Sequence, residues 1–442
     1  MPAPPPRRSR MIERSPLPYA WVVLGTAIVT TMATVPGQTV GVSVFLDPIL
    51  AELELSRSTV SALYMVGTLL GSFSLPFVGR FIDARGPRLA VGLIAGAFAV
   101  ACVVMSGVTG LATLALGFVL VRGLGQGSLS LVSLHAVNLW FVRRRGLAIG
   151  LTGLGMAIAT ALFPSLLEAL IGRVGWRDGY RVMAAMVAGL ALPLGVAFFR
   201  SAPERYGHVP DGHRAGRAAP APVRETNLSL AEARRTFAFW ILAAGDVAVA
   251  ALSTGLVFHH FDIVAQAGVG RTAAAAMFLP LGLISAAANV GTGALLDRIA
   301  PRFALATMLV FQAVALALGG WAAGPLLWVY GAAIGMAQGM KGAIAGAVFA
   351  AYFGRRHIGA IKGFATTLSV AGTALGPLVF ALGRDLTGGY LAVLLASVAM
   401  PLALAAASLR LRPPEPPGED GPAAPDAAVD GGGDGRWDAA ST

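Results

Sequence analysis

Apolar runs as long as a bilayer crossing recur from residue 19 to residue 409, and this recurrence restricts the fold more than any other feature. About 20 apolar residues in helical form span the hydrocarbon core, since each adds ~1.5 Å and the helix bonds its own backbone polar groups. Twelve such runs can be drawn, at 19–45, 58–79, 88–107, 111–139, 146–170, 178–199, 237–261, 273–296, 303–322, 325–352, 360–382 and 390–409. A soluble core could not hide them. The chain is 56% hydrophobic and 12% charged, where soluble domains are about 45–50% apolar and about 25% charged. The fold class is therefore an all-α membrane protein of 12 transmembrane helices.

The runs divide six and six around a polar break. This predicts a tail over 1–18, a six-helix bundle over 19–199, a linker over 200–236, a second bundle over 237–409 and a tail over 410–442. Within the linker, Ser229 followed by Glu232 is a helix-capping pattern, so a short surface helix is expected there. The last segment holds seven acids and almost no large apolar residue, a composition of disorder. The basic, Pro-rich start, MPAPPPRRSR, precedes a run too long for a signal peptide and reads as a tail before a retained helix.

Lys and Arg are distributed with a strong sidedness. With the N-terminus inside, 25 of the 33 fall in inner loops and tails and 6 in outer ones. This positive-inside bias predicts cytoplasmic termini and a multi-pass chain in the cell's inner membrane. It also accounts for the net charge of +11 without nucleic acid. The single cysteine, Cys102, lies in an apolar run and permits neither an internal disulfide nor a cysteine metal site. No G-x-x-x-x-G-K-[ST] phosphate loop is present, so ATP is not the fuel, and no metal or cofactor is expected. An enzyme is not indicated.

A polar phrase occurs twice. GRFIDARGPR, Gly79 to Arg88, returns as GALLDRIAPR, Gly293 to Arg302, and Trp140-Phe141-Val142-Arg143-Arg144 is echoed by Tyr352-Phe353-Gly354-Arg355-Arg356. The chain thus reads as two six-helix halves of the same orientation around a central pathway, a recurring transporter plan. In the repeated loop, Gly79 would let one helix end lie against another, and Asp83 would sit beside positive helix N-termini.

The G-x-x-x-D-x-x-G-x-R of Gly79 to Arg88 resembles the loop signature of the major facilitator superfamily, and the degenerate second copy is typical of that family. R-x-x-x-Q-G at Arg122 to Gly127, GWR at Gly175 to Arg177 and GPLVFALGRDLTGGY at Gly376 to Tyr390 agree with it. WFVRRRGLAIGLTGLG, Trp140 to Gly155, and PERYGHVPDG after span six resemble the monocarboxylate and oxalate–formate porters. The resemblance implies a loop latch between the halves on the cytoplasmic side, made by Gly79, Asp83 and Arg88 and by Gly293, Asp297 and Arg302. It also implies a cavity lined by spans 1, 4, 7 and 10, and a chain that works as a monomer in lipid.

Three charges lie deep in spans: Arg122, Asp246 and Lys341. A charge in mid-bilayer costs at least about 2.5–3.5 kcal/mol, so each is expected to face a cavity or a partner. Asp246 and Lys341 come out about 14 and 16 Å from the inner ends of their spans and Arg122 about 25 Å. Thr31, Thr34 and Gln38 share one face of span one, Arg122 shares a face with Gln126, and Gln338 with Lys341. Two bases against one acid suit a small organic anion such as a monocarboxylate. The expected substrate residues are Arg122, Gln126, Lys341, Gln338, Gln38 and Thr34, with Asp246 either paired to Lys341 or carrying a coupling proton. Transport would be proton symport or exchange against a counter-anion. The alternative is a proton-driven exporter of amphipathic compounds, since R-x-x-x-Q-G in span four also resembles those carriers. The porters' usual Asp and Arg in span eight are missing, and Asn289 is the only strongly polar residue there.

Overall fold

The computed structural model describes residues 9–13, 15–142, 144–208, 210, 228–296, 298–354, 357–412 and 414. Most of both tails and of the linker, and with them Arg143, Asp297, Arg355 and Arg356, lie outside the described residues. Among the described residues, ten helices are long and apolar enough to cross a membrane. The longest, Gly146–Phe198, runs 53 residues and carries spans five and six, bent at Gly175, whose φ of 79° is a conformation that favours glycine. The remaining crossing, span one, is split into Tyr19–Met32 and Thr39–Leu53 by a 3-10 turn, Val35–Gly37. Counted this way the chain crosses twelve times. Span one thus extends past the expected residue 45, and its break is set by Pro36, which has no N–H to continue a helix.

The other crossings are Arg57–Arg85, Pro87–Ser106, Leu111–Trp140, Phe237–Phe258, Arg271–Leu295, Pro301–Gly319, Pro325–Phe353, Ala360–Thr387 and Leu391–Ser408. Span four loosens into a π-helical stretch at Arg122–Leu129, RGLGQGSL, an irregularity frequent at functional sites. In the linker, Leu230–Ala233 forms a short helix capped reciprocally by Ser229 and Glu232. The Ser229 N–H and hydroxyl donating to Glu232 hold its carboxyl below the usual carboxylate range.

The face that carries Tyr19, Phe198 and the linker helix is termed the tail face, and its opposite the far face. At the far face, the bend between spans five and six is clasped to its neighbours. Trp176 Nε1 and Arg177 Nε donate to Glu52 (2.5 and 2.8 Å), and Arg177 also donates to the carbonyls of Ser106 and Val108 (2.8 and 2.7 Å).

Two apolar cores organise the molecule. One runs through the N-terminal half and into the far-face part of the C-terminal half, taking in Phe258, Phe278, Tyr330 and Tyr390. The other lies wholly within the C-terminal half, from mid-span residues such as Val249 and Ala337 to Phe239, Phe349 and Phe353 at the tail face. The halves are therefore welded by buried apolar contact at the far face and parted toward the tail face. Among the described crossings span seven is the most enclosed, with 72% of its most apolar stretch buried, and it contributes wall residues to the seam between the halves.

Candidate functional site

A cavity of about 250 Å³ lies between the halves, walled by residues of spans one, four, five, seven, eight, ten and eleven. The break in span one brings Gln38 and Thr39 to its wall, and span four contributes Gln126. From the other half come Gln338 and Lys341, together with Ser253 and Thr254. Lys341 Nζ lies 3.2 Å from Asp246 Oδ1, an ion pair whose side chains are 26% and 14% exposed. The two groups that depth arithmetic sets level are thus in contact, and both belong to the C-terminal half. Lys341 is the one cationic residue found in the cavity wall among the described residues.

Arg122 is not in that wall. Its side chain is 2% exposed and enclosed in the N-terminal half, with Nε donating to Thr68 Oγ1 and Nη1 to the Gly37 carbonyl, each at 2.9 Å. The Tyr64 ring covers it, with the guanidinium carbon 4.4 Å from the ring centroid. The expected grip on an anion from both halves is therefore not assembled, because hydroxyl, carbonyl and ring already hold this cation. Thr34 is also enclosed. It donates to the Thr31 carbonyl (2.7 Å) and accepts from Gln38 Nε2 (3.0 Å), so it orients a wall residue instead of being one. Asn289 donates to the Gly339 carbonyl at 3.2 Å and ties span eight to span ten.

The repeated loops make no latch among the described residues. Asp83 is 71% exposed, with His135 Nδ1 at 3.9 Å, and Arg88 is exposed. Arg302 lies over its neighbour Phe303 at 4.9 Å. A Cβ at Gly79 or Gly293 would meet nothing within 4 Å, so the close helix approach expected there is absent. Asp297 falls outside the described residues. The physical reason is the parted tail face, where these loops lie and where no buried apolar core joins the two halves.

Polar closure is found at the far face instead. Arg271 pairs bidentately with Glu168 (2.9 and 2.9 Å) and with Asp47 (2.7 Å), Arg57 joins Asp47 (2.6 Å) to Asp262 (2.8 Å), and Arg384 reaches Asp262 (2.9 Å). The alternating chain crosses the seam through Arg271 and through Arg57. Such a network holds more than isolated surface pairs, which contribute about 0–1 kcal/mol each. Arg271→Gln is expected to raise far-face labelling of a cysteine placed at Thr254 by about 5- to 30-fold, from the loss of about 1–2 kcal/mol of closure. A membrane-impermeant maleimide reads this out, and an unchanged rate would remove the network from the closing mechanism.

Sequence reasoning passed over Ser253, Thr254, Thr39 and Asp47. Ser253 and Thr254 were readable as hydroxyls interrupting the apolar run of span seven. Ser253 donates to Gln312 of span nine at 2.6 Å, a partner that no local pattern announces.

A sequence model of the Major Facilitator Superfamily matches residues 22–377. The chain belongs to the major facilitator superfamily. It is therefore a multi-pass membrane protein with a transporter's fold, two helical bundles around a central cavity. Among curated members it is 27% identical to monocarboxylate transporter 6 of Mus musculus over 180 residues, 40% of this chain and 38% of that one. It is 22% identical to the oxalate:formate antiporter of Oxalobacter formigenes over 222 residues, 50% of each. The chain spans half or less of the length of these curated relatives. Its fold is similar to that of a bacterial homolog of the human lysosomal transporter Spinster solved in an inward-facing, occupied conformation. The TM-score is 0.63 at 18% identity, with 89% of this chain and 95% of that one covered. This superfamily member thus presents a cavity walled by one paired lysine with several amides and hydroxyls, and keeps its deep arginine sealed outside that wall.

Proposed function

We propose that this protein is a secondary transporter of a small organic anion, a monocarboxylate in the simplest case, coupled to protons. The reading is carried by Lys341, a cavity-wall cation that already holds a carboxylate, that of Asp246, at 3.2 Å. An incoming carboxylate can take the same place. Asp246, parted from Lys341, would then be the group that carries the coupling proton. Anion and proton would be bound together and released together, which is symport. Gln38, Gln126 and Gln338 supply neutral donors and acceptors around the seat. The cavity of about 250 Å³ is below the usual range for drug-sized ligands, about 300–1,000 Å³, and suits an acid of a few carbons. The names of two relatives, a monocarboxylate transporter and an oxalate:formate antiporter, support an organic anion.

The positive-inside bias makes the tail face cytoplasmic, so the state described is open to the cytoplasm with its outer side closed by the Arg271–Arg57 chain. In the opposite state the loops of Gly79, Asp83 and Arg88 and of Gly293, Asp297 and Arg302 would meet as the cytoplasmic latch. Binding and rocking of two bundles needs one chain only.

The test is reconstitution in vesicles with radiolabelled lactate, formate and oxalate, each with and without an inward proton gradient. Uptake of at least one of them, accelerated by the gradient, is expected. Absence of carboxylate uptake together with resistance of expressing cells to toxic amphipathic cations would replace this reading with that of an exporter.

A further inference from the structure

The break in span one frees backbone groups within the membrane-spanning region, where each buried one needs a partner. Arg122 takes one of these groups, the Gly37 carbonyl, while its Nε binds Thr68 of span two. The turn is also seated backbone to backbone on the π stretch of span four. A Cβ at Gly37 would fall 2.2 Å from the Val121 carbonyl oxygen and 3.1 Å from the Gln126 nitrogen. The residues that follow, Gln38 and Thr39, form cavity wall.

From this seat a second connection runs to the far seam. Thr39 Oγ1 and the Tyr64 hydroxyl are 2.7 Å apart. The Tyr64 ring rests on the Arg122 guanidinium and also lies 4.5 Å between centroids from Phe258 of the opposite half. The next residue, His259, bonds to the Pro377 carbonyl at 2.8 Å and reaches Ser61 of span two at 3.5 Å. Cavity wall, arginine, tyrosine and seam are consecutive contacts.

We infer that Arg122 is a positioning residue that seats the broken span one and Tyr64, and thereby couples the cavity wall to closure of the far seam, without touching the substrate. The inference rests on the reading of the cavity as the substrate site. It assigns this deep arginine a role different from the anion grip that its charge invites. Three partners of different kinds explain why arginine stands here: a planar fork that binds two oxygens and stacks on a ring is not reproduced by lysine. The fourth group, Nη2, is buried without a partner and is a donor available to span one when the seat rearranges.

The experiment places a cysteine at Thr254, in the cavity wall, and measures its labelling from the far face by a membrane-impermeant maleimide in Arg122→Lys, Arg122→Gln, Tyr64→Phe and Thr39→Val. Cys102 is fully buried and gives no background. Both Arg122 variants should raise far-face labelling by about tenfold. They should also lower the maximal rate of uptake of the carboxylate carried by the wild type by about tenfold or more, with half-saturation changed less than about threefold. Thr39→Val and Tyr64→Phe, which remove only the hydroxyl link and keep the shape, should raise labelling by about threefold. A ligand role would appear as retained affinity in Arg122→Lys, a tenfold or greater rise in half-saturation in Arg122→Gln and wild-type labelling in both; that pattern overturns the inference. If the Arg122 variants fail to fold, the Thr39 and Tyr64 variants decide, and wild-type labelling in both overturns it too. Lys341→Gln runs in parallel: failure of the carboxylate reading shows in uptake alone, while the labelling arms test the positioning role independently of any substrate.

Discussion

Lys341→Gln is expected to weaken carboxylate binding by about 10- to 150-fold, the span of a charge-assisted hydrogen bond of about 1.5–3 kcal/mol. Two effects add in the same direction. The substrate loses its counter-charge, and Asp246, now without its partner at 3.2 Å, presents an unneutralised carboxylate to an anion. Asp246→Asn carries the opposite sign on affinity, because it removes the competitor for Lys341. The same variant removes the group proposed to take the proton, so uptake should become indifferent to a proton gradient while exchange of labelled for unlabelled carboxylate persists. Vesicle uptake with and without the gradient measures both. If Lys341→Gln transports as the wild type does, the seat assigned to the substrate is wrong; if Asp246→Asn still responds to the gradient, the proton travels by another group.

The second large effect is expected at Gly282. A Cβ at this position of span eight would fall 2.4 Å from the Ala157 carbonyl oxygen and 2.7 Å from both the nitrogen and the Cβ of Ala161, all in span five of the other half. Backbone cannot yield as a flexible side-chain end does, so Gly282→Val is incompatible with the halves as they meet here. Overpacking of this kind costs about 1–3 kcal/mol or more, which shifts the population away from the far-closed state by about 5- to 150-fold. Each half keeps its own helices, so the variant should remain folded while transport stops. A cysteine at Thr254 should then react from the far face and lose reactivity from the tail face. Gly282→Ala should lie between the wild type and valine. Unaltered sidedness in the valine variant would show that this contact does not limit closure.

Much of this architecture was readable in the residues themselves. The apolar runs give the crossings, the two copies of the Gly79 phrase give the twofold plan, and the depths of Asp246 and Lys341 along spans seven and ten bring them level. What was not legible is direction around the helix axis. Arg122 and Gln126 stand one turn apart in span four, yet Gln126 lines the cavity and Arg122 is sealed under Tyr64, a distinction made by span two and by the turn in span one. That turn, Val35–Gly37, lies inside a run long enough for one unbroken helix, with Pro36-Gly37 and the polar residues Thr34, Gln38 and Thr39 around it as its signs. Asp47 was missed because the second piece of span one continues to Leu53, where an apolar count had already ended. The loop latch was visible as a motif, but the described residues show none of its contacts, which the proposed cycle assigns to a state in which the tail face is shut.

The placement of both Asp246 and Lys341 in one half has an electrical corollary. Vacant, the seat carries plus one and minus one. Filled by a carboxylate, with the proton on Asp246, it carries plus one on the lysine and minus one on the cargo. The sum is zero in either case, so neither leg of the proposed cycle drags net charge through the bilayer field, which otherwise exacts about 2.3 kcal/mol per elementary charge per 100 mV. Accumulation would then follow the pH difference and ignore the membrane voltage, and a potassium–valinomycin clamp should leave the uptake rate where it was.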